Sequence, residues 1–215
     1  MERLPASNAV LSGYAPSGGA SSDRWLKQTL LNLVPPAFVA LVVLLWAYAP
    51  KAWTDNPNAI IVATSLTTAA VLALEWVAER HAGWRMTWRE FATDLFYVVL
   101  SATVIAWTTA TLADDPLASL KASLGITTQW AMHLPFVVQV ALVVFLIEFG
   151  QYWMHRLMHN WTPFWLTHAP HHHLTQLNAM KGAVGNPIEL FLISLSIVAL
   201  FDLPTAAVFC GFNVL

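Results

Sequence analysis

Long apolar stretches recur along the chain, separated by short polar segments. Four of them are about as long as the 20 or so residues that an α-helix needs to cross the hydrocarbon core of a bilayer. They lie at residues 29–49, 59–77, 91–113 and 130–147, the last beginning near Trp130 or Leu134. Pro35 and Pro36 are expected to kink the first helix or to set its start. The pattern predicts four membrane-spanning helices.

A fifth apolar block is interrupted. Residues 187–201 are followed by Asp202 and Pro204, and then by a second apolar run at residues 205–215. This arrangement is typical of a broken helix or a re-entrant pair. Residues 1–28 are polar and rich in small residues, which predicts a disordered N-terminal tail, with a short structured cap as the alternative. The expected fold of residues 29–215 is therefore an all-α, multi-pass transmembrane bundle with four spans and a broken fifth.

Composition agrees with a membrane protein. Only 10% of the residues are charged and the mean hydropathy is +0.58, whereas a soluble domain carries roughly 25% charged residues. The net charge of -2 comes without any basic run that could follow a phosphate backbone, so nucleic acid is not an expected partner. Cys210 is the only cysteine. An intrachain disulfide and a multi-thiolate metal site are therefore excluded, and any metal must be held by nitrogen or oxygen.

The basic residues indicate how the chain is oriented, because Lys and Arg are retained on the cytoplasmic side of a membrane. With four spans, only Lys51 and Lys121 fall in connections on one side of the membrane. The other eight fall on the opposite side: Arg3, Arg24, Lys27, Arg80, Arg85, Arg89, Arg156 and Lys181. That side is predicted to be cytoplasmic, and it includes the segment after the fourth span.

The segment after the fourth span contains the candidate functional residues, since residues 155–173 hold six of the eight histidines. A helix from residue 134 to 159 would span about 39 Å against a hydrocarbon core of about 30 Å, so its last turns should project from the bilayer. Glu148, Tyr152, His155 and His159 are spaced four, three and four apart, which places them on one stripe of that helix. His155 and His159, one turn apart, are suited to binding a metal together.

The chain is predicted to turn at residues 160–163 and to lead into His168, followed by His171, His172 and His173. Clustered imidazoles would repel one another on protonation, so they are expected to share a cation. Six imidazoles exceed the four ligands of a tetrahedral ion, which favours more than one metal or a higher coordination number. Iron, zinc, copper and nickel all accept imidazole ligands. The cluster thus predicts a metal centre on the cytoplasmic side, without naming the metal.

Other ionisable residues carry less information. His81 and His133 are isolated, and a structural role is the simpler reading for both. Glu75 and Asp94 lie within or near predicted spans, where a carboxylate is costly and often functional, but both are also close enough to a helix end to reach water. The segment from His155 to His159 lacks the Glu of the zinc-protease motif H-E-x-x-H, so a protease is disfavoured.

Two motifs resemble those of the fatty acid hydroxylase and sterol desaturase superfamily of membrane-bound, non-haem di-iron oxygenases. Residues 152–159, YWMHRLMH, are similar to the first histidine box, with Glu148 where the family usually has Asp. Residues 165–172, WLTHAPHH, are similar to the second box. Asn178 and residues 187–189, PIE, resemble the element that follows, although Asn186 stands in place of its usual His. The resemblance covers roughly residues 60–215.

The resemblance implies an oxidoreductase that hydroxylates or desaturates a lipid, such as a fatty acyl chain or a sterol, using O2. It implies two iron ions, with zinc as an alternative occupant. An electron donor such as a cytochrome b5-like protein, a ferredoxin or a reductase is the implied partner. Glu148 and Tyr152 would orient the imidazoles. The implied metal ligands are His155, His159, His168, His171 and His172, with His173 as a further ligand or an outer-shell residue.

One departure from the family pattern keeps alternatives open. The family has a third box, H-x-x-H-H, beyond the last apolar segment, and this sequence ends at Leu215 without it. We therefore expect the sequence to be part of a longer protein, incomplete at its C-terminus, with a natural short form as the alternative. The alternatives to an active oxygenase are a membrane protein that binds or transports metal ions and a catalytically inactive relative. A transporter should place polar ligands along its spans, whereas here they lie beyond a helix end.

Overall fold

The structure, a computed structural model, describes residues 21–77, 86–174, 176–195 and 197–215. Every regular element in these ranges is helical. The α-helices are α1 Ser21–Tyr48, α2 Lys51–Thr54, α3 Pro57–Val77, α4 Trp88–Ser123, α5 Phe136–Asn160, α6 Thr162–His168, α7 Pro187–Ser194 and α8 Thr205–Val214. Short 3-10 turns lie at Gln129–His133, Ala169–His173, Lys181–Ala183 and Ile197–Leu200. The described residues divide into two compact units, with the boundary between Phe38 and Val39.

Within the described ranges, four helices are long and apolar enough to cross a membrane, which confirms the predicted all-α bundle of apolar helices. They are Gln28–Tyr48, Asn58–Val77, Trp88–Ser123 and Phe136–Asn160. The predicted broken fifth span corresponds to two shorter apolar segments, Pro187–Leu200 and Thr205–Val214. The third span is longer than expected, because α4 begins at Trp88 and continues beyond residue 113 to Ser123. It contains two π-helical turns, Ser101–Ile105 and Ala110–Asp114.

The first helix begins at Ser21, earlier than the predicted boundary at residue 29. The predicted span agrees with the apolar window Gln28–Tyr48, and the helix begins earlier because apolar periodicity gives no signal for its polar first turns. Pro35 and Pro36 both lie inside α1 and therefore do not set its start. Residues 1–20 and His81 lie outside the described residues, and the disordered tail stays a prediction there.

The start of α4 is fixed by a capping box. The Thr87 hydroxyl accepts a hydrogen bond from the backbone N–H of Glu90 at 3.3 Å, and the Glu90 carboxylate accepts one from the backbone N–H of Thr87 at 2.8 Å. Two of the unpaired donors at the helix start are thereby satisfied. This cap begins the helix at Trp88 and places Asp94 about two turns inside it.

The apolar core of residues 39–215 forms where the broken fifth segment packs on α5. Val143, Leu146 and Ile147 of α5 are buried against Val198, and partly buried side chains surround them: Leu142, Ile197, Phe201, Leu203 and Val208. The approach of α8 is close, because a Cβ atom on Gly211 would overlap the side chain of Val143. Only glycine permits this separation. The packing holds α5, and with it His155 and His159, against the C-terminal segment.

Asp202 lies in the break between α7 and α8 and binds the C-terminal end of α4 and the loop that follows it. Its carboxylate accepts hydrogen bonds from Lys121 Nζ at 2.6 Å and from the backbone N–H of Thr128 at 2.8 Å. The bond to Lys121 and the backbone bond to Thr128 lower the pKa of Asp202 to about 2. Its contribution to stability is therefore present above its ordinary pKa and is lost as the pH falls toward about 2. The Lys121 side chain of α4 thus binds the polar break between α7 and α8.

Replacing Gly211 by Ala should destabilise the fold, because the added methyl group must displace Val143 or separate α8 from α5. Overpacking of this kind costs about 1–3 kcal/mol in the free energy of unfolding. Thermal unfolding of the detergent-solubilised protein measures the change. Gly150→Ala is the matched control on α5, because its Cβ would meet only the Leu195 carbonyl oxygen at 4.0 Å. Equal stability of Gly211→Ala and the wild type would contradict the close packing.

Candidate metal centre

The end of α5 and the segment after it place four histidines around one point. His155 and His159 are one turn apart near the end of α5. Trp161 then takes an extended conformation, with φ -128° and ψ 116°, and ends α5 while it begins α6. The chain consequently turns back, and α6 ends on His168. The 3-10 turn that follows carries His172.

The Nε2 atoms of these rings face one another. Nε2 of His159 lies 3.0 Å from that of His155 and 3.2 Å from that of His172. Nε2 of His172 in turn lies 3.0 Å from that of His168. Each ring offers one ligand atom to a group whose members all lie within 4.8 Å of one another. We call His155, His159, His168 and His172 the four-histidine group.

Hydrogen bonds alone do not account for these contacts. An imidazole nitrogen carries either one proton or one lone pair, so it serves one hydrogen bond. The Nε2 atoms of His159 and His172 each make two of the three contacts. At most two contacts can therefore be hydrogen bonds, and the third brings two nitrogens together with no proton between them. A cation that accepts all four lone pairs would satisfy every ring.

The spacing also fits a metal shell. Metal–nitrogen bonds of about 2.0–2.1 Å give neighbouring ligand nitrogens a separation of about 2.9 Å in six-coordinate and about 3.4 Å in four-coordinate geometry. The three contact separations of 3.0–3.2 Å lie between these limits, and all four ligand atoms lie within 4.8 Å of one another. The four nitrogens therefore converge on a region the size of one metal shell, and a bound ion would draw the outermost pair closer.

A buried carboxylate orients one of the four rings. Glu189 of α7 is 1% exposed and His168 is fully buried, and Glu189 Oε1 lies 2.8 Å from His168 Nδ1. A ligating imidazole usually donates its second ring nitrogen to such a partner. In the sequence Glu189 belongs to the PIE element at residues 187–189, and no role was predicted for it. The available signal was a carboxylate inside an otherwise apolar block, which is costly without a partner.

The other residues predicted for the site lie outside the four-histidine group. His171 Nδ1 lies 3.5 Å from the Val184 carbonyl oxygen, and His173 is exposed. The Tyr152 hydroxyl accepts a hydrogen bond from Arg156 at 3.0 Å. Glu148 is exposed on α5, and among the described residues neither it nor Tyr152 hydrogen-bonds to a histidine. The structure thus places four of the six predicted ligands together, and Glu189 beside them.

The environment favours the neutral form of His172. Removal from water, followed by repulsion from the His168 and His159 rings, lowers the pKa of His172 below its ordinary value of 6.5. Neutral imidazole is the form that binds metal ions. Trp165 covers one side of the group, with its ring centroid 5.3 Å from that of His159 and 5.6 Å from that of His172.

The loop between the 3-10 turn of His172 and α7 is tied to α3 and α4. Fully buried Asp94 accepts from Lys181 Nζ at 2.6 Å and from Asn178 Nδ2 at 2.9 Å. Glu75 accepts from the backbone N–H of Ala179 at 3.1 Å. Both carboxylates that the sequence left undecided thus bind this loop, which leads directly to Glu189.

Residues 140–214 match the family model described as fatty acid hydroxylase. The matched segment contains the four-histidine group and Glu189, and it confirms the resemblance to the fatty acid hydroxylase and sterol desaturase superfamily. No curated protein and no solved structure matches the chain. The match and the four apolar helices of the described residues support an integral membrane protein.

Removing the Lys181 ammonium should strongly destabilise the protein, because Asp94 would remain buried with only Asn178 as a partner. Breaking a buried ion pair in this way costs about 3–5 kcal/mol. Lys181→Met should therefore unfold at a much lower temperature than the wild type, and Asp94→Asn/Lys181→Met should recover part of the loss. Lys51→Met, an exposed lysine on α2, is the control. A Lys181→Met variant as stable as this control would show that the pair contributes nothing.

Proposed function

We propose that the chain is a membrane-bound, non-haem di-iron oxygenase that uses O2 to hydroxylate or desaturate a lipid. The observation that carries the proposal is the convergence of the four Nε2 atoms within the segment that matches the fatty acid hydroxylase family. The metal, when bound, would supply activation of dioxygen and oxidation of an unactivated C–H bond. The chain supplies the ligands, their orientation and a position near the lipid.

The position of the site suits a substrate that lies in the bilayer. Helix α5 has 25 residues and is about 38 Å long, compared with about 30 Å for the hydrocarbon core. Its last two turns carry His155 and His159, so the metal would lie close to the membrane surface. We expect this surface to face the cytoplasm, because Lys and Arg are retained on that side of a membrane, and a soluble or membrane-bound electron donor would reach the site there.

Each ligand has a stated role. His155 and His159 would hold the ion from α5, His168 from the end of α6, and His172 from the 3-10 turn that follows. A second ion would use His171 and His173, the two remaining imidazoles of the cluster, together with further ligands. Iron is proposed over zinc because oxidation of a C–H bond needs a redox-active metal.

A metal transporter is the competing function. A transporter should carry ionisable ligands along its spans. Among the described residues of the spans, the one buried ionisable side chain is Asp94, which is paired with Lys181 near the same end as the histidines. This distribution favours an enzyme.

The full-length protein, purified in detergent and supplied with ferrous iron, should bind about two irons per chain. His155→Ala and His159→Ala should each lower the iron content, because each removes one ligand from the four-histidine group. Metal analysis after gel filtration measures the content. His133→Ala is the matched control, since His133 is exposed and lies in a different turn, Gln129–His133.

The same preparation, reconstituted with lipid, a reductant and O2, should yield a hydroxylated or desaturated lipid detectable by mass spectrometry. Iron-loaded protein that transfers cations across sealed vesicles without consuming O2 would identify a transporter instead. Iron-loaded protein that neither transfers cations nor oxidises any lipid would identify an inactive relative. Fewer than two irons per chain would contradict the di-iron assignment.

A further inference from the structure

We propose that Glu189 is a positioning residue for the metal centre, which fixes the tautomer and orientation of His168, and that Gly185 is required to make room for its carboxylate. The inference rests on the metal centre of the proposed function and not on the oxidation of a lipid. It assigns to Glu189 the role that the sequence resemblance implied for Glu148 and Tyr152.

The tautomer follows from the hydrogen bond. A carboxylate accepts hydrogen bonds, so the contact of 2.8 Å between Glu189 Oε1 and His168 Nδ1 requires the proton on Nδ1. The neutral ring then has its lone pair on Nε2, which lies 3.0 Å from Nε2 of His172. Glu189 therefore presents His168 to the four-histidine group in the form that binds a metal.

The burial of the Glu189 carboxylate favours a cation in its neighbourhood. Its side chain is 1% exposed, and Oε2 has no hydrogen-bond partner among the described residues. A buried carboxylate is costly unless it is paired with positive charge. His168 is its one ion-pair partner among the described residues. A metal ion on His168 Nε2 would give this ring positive character and offset the cost.

Gly185 fits the carboxylate closely. A Cβ atom at this position would lie 2.9 Å from Glu189 Oε2 and 3.3 Å from Glu189 Cδ. A side chain here must displace the carboxylate, and the displacement would change the hydrogen bond to His168. Gly182 lies three residues earlier, and a Cβ atom there would meet nothing within 4 Å. Gly185→Ala and Gly182→Ala therefore form a matched pair. Only the first displaces the Glu189 carboxylate, and neither removes a ligand or a charge.

A purely structural role is the competing explanation. Glu189 lies in the first turn of α7, where a negative charge is favourable. If this were its whole function, its removal would change stability and leave the metal shell unaltered. Metal affinity and the visible spectrum of bound cobalt, which reports coordination geometry, distinguish the two roles.

The test is Co(II) titration of the metal-free, full-length protein in detergent, followed by visible absorption. Glu189→Leu should weaken Co(II) binding by about 10–100-fold and alter the spectrum. Glu189→Gln, which keeps an acceptor for Nδ1, should lose less. Gly185→Ala should change the affinity and spectrum in the same direction. Glu148→Gln and Gly182→Ala should match the wild type in both measurements.

The outcomes separate this inference from the metal centre itself. Wild-type protein that binds no Co(II) would overturn the metal centre and the positioning role together. Wild-type protein that binds Co(II), with unchanged affinity and spectrum in Glu189→Leu and Gly185→Ala, would overturn only the positioning role. If Glu189→Leu does not fold, Gly185→Ala decides the question, because it removes no polar group and its folding is checked by thermal unfolding.

Discussion

The three close contacts among the Nε2 atoms of the four-histidine group set the main constraint on this molecule. Each nitrogen has one proton or one lone pair, so neutral rings cannot satisfy all three contacts, and protonated rings would repel one another. The arrangement is consistent with a shared cation. The surrounding features, from the turn at Trp161 to the buried Glu189, then serve to hold four rings in a geometry that would be unfavourable without one.

The fold supplies this geometry through contacts distant in sequence. Gly211 brings α8 against α5, which carries His155 and His159. Asp94 and Glu75, on the helices before the site, bind the loop that leads to Glu189. In a bilayer the attraction between apolar helices is weak, so close packing and polar contacts must determine how the helices are arranged. Both occur here, and they connect the histidine-bearing segments to three of the four long apolar helices, α3, α4 and α5, and to the shorter α8.

Much of this arrangement could be predicted from the sequence. Apolar length identified the four spans and the broken fifth, and helical periodicity put His155 and His159 on one face. Local pattern could not separate His172 from His171 and His173, because the 3-10 turn Ala169–His173 decides which ring faces the group. It also missed the pairs His168–Glu189 and Lys181–Asp94, which are 21 and 87 residues apart and exist only through tertiary packing. The polar start of α1 at Ser21 carries no apolar signal at all.

The most direct test of the convergence of these rings is X-ray absorption spectroscopy of the full-length protein loaded with one equivalent of zinc. The account predicts a first shell of nitrogen at about 2.0–2.1 Å, with the outer-shell scattering of four imidazole rings. Loss of one ring's contribution in His172→Ala would assign that ring to the shell. A shell made of oxygen, without imidazole scattering, would contradict the account.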